Sequence, residues 1–234
     1  MIHKQAAPRR GAQIPLCLAI ATALASTMSV ASASSVVSAS IGQARLVVPS
    51  DAAPAAAEAG AQLLHDYGAF RLYRVDGAHL ARMQASALAP ELATNTIEFN
   101  TISLDTAAAP PDLPAAYRVA DSNGPSLRIV QFPGPIAHEW ADALERSGAR
   151  IVQYIPNNAY VVLVDAATSS ALDVKASRGE DLQYSGPYEP YFKLGSTLAE
   201  RVKSLSATRK IQLTVQVVSW EGNASTKAAI EKLA

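Results

Sequence analysis

Two hydrophobic rhythms alternate between Leu127 and Val164. Residues 127–132 (LRIVQF) are apolar on both parities, the pattern of a strand buried on two faces. Pro133-Gly134 stops that run, and Pro135 is preset for a first helical turn. Ile136, Trp140, Ala143 and Leu144 then recur at helical spacing and form one apolar stripe. Asp142 and Arg146 are spaced to pair at i,i+4 on the wet side. Gly148 ends the helix. Residues 149–155 and 159–164 read as strands joined through Pro156-Asn157-Asn158, a turn-forming tripeptide. A weaker helix over 168–176 and a strand over 181–185 complete the order β-α-β-β-α-β. That is the split βαβ order, which implies an antiparallel sheet with both helices on one face.

A sparser version of the order precedes it. Residues 45–49 read as a strand and the Ala-rich stretch 52–65 as a helix, with Gly68 of Tyr67-Gly68-Ala69 at its left-handed C′ position. Residues 70–75 (FRLYRV) read as a strand and 77–87 as a helix with Leu80 and Met83 inward. In 95–104, Ile97, Phe99 and Thr101 alternate with Glu98, Asn100 and Ile102, which predicts one further strand. Gly68-Ala69 and Gly148-Ala149 each stand between a predicted helix and strand. Segment 43–104 is therefore read as a reduced β-α-β-α-β copy of the 127–194 module, with the Pro/Ala-rich stretch 105–126 as a linker. A third copy spans 205–234: a strand from Ile211 (IQLTVQVVSW), then a helix from Asn223, with 228–234 (AAIEKLA) aligning on 141–149 (ADALERSGA). A lone strand and helix cannot bury their apolar faces, so this copy predicts that the chain is the front of a longer protein or a truncated product of one. The expected fold class is α+β: repeated ferredoxin-like (split βαβ) modules, each an antiparallel sheet with its helices on one face.

Composition adds an address. The chain has 234 residues, 49% apolar and 17% charged, with 20 basic and 20 acidic side chains, so nothing marks a nucleic-acid surface. At the N-terminus, Lys4, Arg9 and Arg10 precede an apolar run from Ile14 to Val30 and the small-residue exit Ala31-Ser32-Ala33; Ser38-Ala39-Ser40 is a second exit. This is the pattern of a secretory signal over residues 1–33. It predicts export to the periplasm or beyond, with no stable membrane association after cleavage. Cys17, the only cysteine, lies inside that run, so the exported chain has no disulfide, thiolate metal site or cysteine nucleophile.

Catalytic patterns do not emerge. His138-Glu139 begins like a zinc-protease helix, but the fourth position on is Asp142 and not histidine. There is no Gly-x-Ser-x-Gly elbow, phosphate loop or paired-carboxylate motif. Asn223-Ala224-Ser225 fits a glycosylation sequon, but a helix cap is the plainer account. No catalytic, cofactor or metal residue is expected, and the chain is not expected to be an enzyme. What remains is surface. Strands apolar on both parities leave a greasy face where helices cover only one side, and such a face is closed either by another module or by a partner. Val130, Phe132, Val152, Tyr154, Tyr160 and Val162 are the candidate docking residues.

The motifs IVQFPGPI-x-x-EW (129–140), Gly148-Ala149, YIPNNAYVV (154–162) and GPYEPYFKL (186–194) resemble the N-terminal propeptide of a branch of bacterial secreted subtilisin-like serine proteases. The resemblance covers about 127–194, more weakly the third copy, and reaches 45–104 only through the repeat. It implies a ferredoxin-like fold, an intramolecular chaperone and inhibitor role, and a subtilisin-like catalytic domain as partner, in cis or in trans, held against the open sheet face. The motifs of the catalytic Asp, His and Ser have no counterparts in this chain, so no triad residue carries over. Tyr188 to Lys193 lies between two modules and not at a cleavage junction. The alternative reading is a free-standing exported module that binds a protein or peptide.

Overall fold

Two antiparallel sheets, each laid out around its first strand, organise the chain. The computed structural model describes residues 38–39, 43–58, 60–80, 91–92, 94–119, 124–179, 181–202, 204, 211–219 and 223–232. All of them fall in one unit, Ala33–Ala234. The fold class is α+β.

The larger sheet is built from the stretch with the strongest sequence signal. β8 (Ser126–Gln131) leads to α2 (His138–Arg146), β9 (Arg150–Ile155), β10 (Ala159–Val164), α3 (Ala166–Arg178) and β11 (Tyr184–Pro187). The order is β1-β11-β8-β10-β9, every pair antiparallel, with β1 (Ser38–Ala39) added along β11. Local chemistry sets the element ends. Asp165 caps α3 by accepting from the Thr168 backbone N–H at 2.8 Å, and Gly179 closes it in the left-handed conformation (φ 63°). Asn157 and Asn158, at φ 70° and 63°, make the tight β9–β10 turn, which needs two left-handed residues that asparagine tolerates.

The first sheet has the order β3-β4-β2-β5, from β2 (Gln43–Pro49), β3 (Gln62–Asp66), β4 (Phe70–Asp76) and β5 (Glu91–Leu92). α1 (Ala53–Glu58) lies between β2 and β3, and residues 77–80 after β4 are helical. Leu46, Val48, Tyr73 and Val75 form one core with Ala53 and Ala56 of α1. A two-stranded hairpin, β6 (Thr96–Glu98) with β7 (Ser103–Asp105), follows. After β11 come α4 (Ser196–Val202) and α5 (Ala224–Glu231).

Several expectations are corrected. The helix over 52–65 ends at Glu58; Gly60 turns the chain at φ 87°, and the residues beyond it form β3, which the reduced copy lacked. Gly60-Ala61, and not Gly68-Ala69, therefore holds the helix-to-strand position of Gly148-Ala149, and Gly68 turns the β3–β4 hairpin. The single strand over 95–104 is the β6–β7 hairpin, because Phe99 N–H reaches back to the Ile102 carbonyl at 3.0 Å. The 105–126 linker is partly core: Thr106 and Leu113 are buried. Pro135 stands ahead of α2, which starts at His138. Arg146 donates to the Asp142 main-chain carbonyl at 3.2 Å, while the Asp142 carboxylate lies 3.6 Å from His138. Residues 211–219 run without a ladder partner. The predicted signal over 1–33 and residues 81–87 of the second helix lie outside the described residues.

Candidate docking surface

Strand parity divides the larger sheet into two apolar faces. One carries Val130, Phe132, Val162 and Val164, and α2 and α3 close over it with Trp140, Leu144, Leu172 and Ala176. Phe132 stacks parallel to Trp140 at 6.0 Å between centroids. Arg128, on the same face, bonds to Asp173 of α3 and to Ser185 Oγ (3.0 Å), so the helix is also pinned by charge. Burial pushes the Asp173 carboxyl up despite Arg128 beside it, so the guanidinium offsets only part of the desolvation cost.

The opposite face presents Ile129, Val161 and Ala159, with Leu127 beside them. It is covered by the chain's own connecting segment: Ile97, Leu104 and Leu113, with Phe99 and Ile102, and by Tyr184 and Phe192 from beyond α3. Phe99 stacks on Phe192 at 4.6 Å with planes 6° apart. We call residues 94–119 the strap. A buried polar knot fastens it. Gln183 Nε2 lies 3.0 Å from Asn95 Oδ1, 2.9 Å from Thr106 Oγ1 and 3.1 Å from Gln131 Oε1. Gln131 Nε2 donates to the Asn157 carbonyl at 2.9 Å, and Asn157 Nδ2 donates to the Thr96 carbonyl at 2.7 Å. Arg45 of β2 enters the same knot through Asn95 Oδ1, the Thr94 carbonyl (3.2 Å) and the Pro133 carbonyl (3.0 Å). Burial, and secondarily Arg74 beside it, brings the Arg45 guanidinium down to about 10. Such a knot is rigid, because each member's bonds fix the next, and opening it would leave buried donors unpaired.

The first sheet in turn closes against α2. Leu72 of β4 is fully buried in the α2–α3 core, with Val47 and Leu64 packed beside it. A Cβ on Gly134 would stand 2.7 Å from Leu72 Cδ2, so glycine there lets the two parts meet. Tyr67 Oη donates to the Pro135 carbonyl, and His65 sits 3.2 Å from Glu139 and 5.2 Å from the Trp140 ring.

These placements correct the candidate docking set. Val130, Phe132 and Val162 are core beneath the helices, at 0%, 1% and 0% exposure. Parity could separate the faces but could not say which the helices would take. Val152, displaced by a bulge opposite Val161/Val162, packs on the strap side. Tyr160 is half-buried between Phe132 and Tyr154, and only Tyr154, 52% exposed on edge strand β9, is open. The sequence reading missed the strap and its knot; Asn95, Thr106, Gln131 and Gln183 carry no periodic signal. Buried polar side chains on otherwise apolar strands were the available hint. Leu213 and Val215, each 54% exposed, and Val217, at 36%, lie on the unpaired stretch. His65, His79 and His138 are each within reach of one carboxylate. Among the described residues no group of three or more His, Cys, Asp or Glu is placed to hold a metal.

Residues 91–189 match the family model of a domain of unknown function (DUF8729). The match takes in the strap together with strands β8 to β11 of the larger sheet, which share a core with it. No curated protein and no solved structure matches the chain.

Proposed function

We propose that this chain is a non-catalytic pro-region resembling those of exported subtilisin-like proteases: a folding assistant and inhibitor for a catalytic domain, acting in cis or in trans. The observation that carries the reading is the strand order β11-β8-β10-β9 with both helices on one face, in the stretch whose motifs resemble those propeptides. We further propose that the two sheets are copies of one split βαβ unit. Both place the first strand beside the third and the fourth, with the second at one edge. Both use a left-handed glycine before the second strand, Gly60 (φ 87°) and Gly148 (φ 94°). Both start the second helix with an aspartate accepting the backbone N–H three residues on at 2.8 Å, Asp76 from His79 and Asp165 from Thr168. The capped residue then packs over that glycine in each case.

A second reading, a free-standing exported binding module, draws on the strap, which occupies the sheet face that a subtilisin-like domain would cover. Refolding a denatured subtilisin-like protease in the presence of the purified chain, and assaying the native protease with it, distinguishes the two. A pro-region speeds recovery of activity and inhibits the native enzyme. A chain that does neither is not one.

A further inference from the structure

We draw no further inference here: the strongest candidate, the apolar face that Leu213, Val215 and Val217 expose along the unpaired stretch ahead of α5, carries nothing, because nothing in the structure shows what covers it.

Discussion

Ile97→Ala measures whether the strap belongs to the core or merely rests on it. Ile97 is fully buried against the face that carries Ile129 and Val161. The substitution removes three carbons, about 2.4 kcal/mol of transfer free energy at about 0.8 kcal/mol per carbon. The knot at Asn95, Thr106 and Gln183 holds the hairpin above the sheet, so the hole cannot close fully, and the cavity raises the expected loss to about 3–4 kcal/mol. For a urea slope of about 2.5 kcal/mol per molar, the unfolding midpoint falls by about 1.2–1.6 M with the slope unchanged. Tyr154→Ala, on the exposed edge strand, is the control and is expected to cost less than about 1 kcal/mol. Far-UV circular dichroism and tryptophan fluorescence follow the transitions. A midpoint shift for Ile97→Ala no larger than the control's would refute the argument. So would an early separate transition with dye binding to the uncovered face, since the strap would then be a removable lid.

Gly134→Ala is expected to destabilise by about 1–3 kcal/mol through its clash with Leu72, and the double variant with Leu72→Ala should lose less than the sum of the two singles. Additive losses in a denaturant cycle would mean that the two do not meet. The Asp165 carboxyl is held below the usual range first by the Thr168 backbone N–H and then by the Thr168 side chain. A depressed carboxylate stabilises above its unfolded pKa and is lost as pH falls through the folded value. Melting curves of Asp165→Ala should therefore lie below the parent's at pH 7 and merge with it in strong acid; a constant gap down to pH 2 contradicts this. If residues 1–33 are a secretory signal, as their pattern predicts, N-terminal sequencing of the processed chain is expected to give Ser34 as the first residue, which keeps Ser38-Ala39 as edge strand β1 on β11. A mature start at Ile41 would show that β1 is dispensable.

The best-patterned elements were legible from the chain alone. Apolar residues on both parities of 127–132 and 159–164 marked strands buried on two sides, and Trp140 with Leu144 marked the inward stripe of α2. Their order fixed which strands could be neighbours. Short-range signals were weaker where context overrode them. Leu63, Leu64 and His65 follow an Ala-rich helix in sequence, yet pairing with β4 draws them into β3. The candidate surface was misplaced for a related reason: alternation reports that both faces are apolar, and a strand's own sequence is blind to what covers each.

By itself, the sequence determined the two-sided strands, the end of α2 at Gly148, the Asn-Asn turn and the absence of recognisable catalytic motifs, because each depends on residues close together along the chain. Tertiary structure alone decided that the helices take the Val130 face, that the strap takes the Ile129 face, and that Leu72 fills the space above Gly134. Those outcomes join residues tens of positions apart. Hydrophobic burial has no direction, so any apolar surface of matching shape could have served. The choice among them is made by shape and by the few buried polar groups, Gln183, Gln131, Asn95 and Arg45, which hydrogen-bond to one another and to the strap in this arrangement.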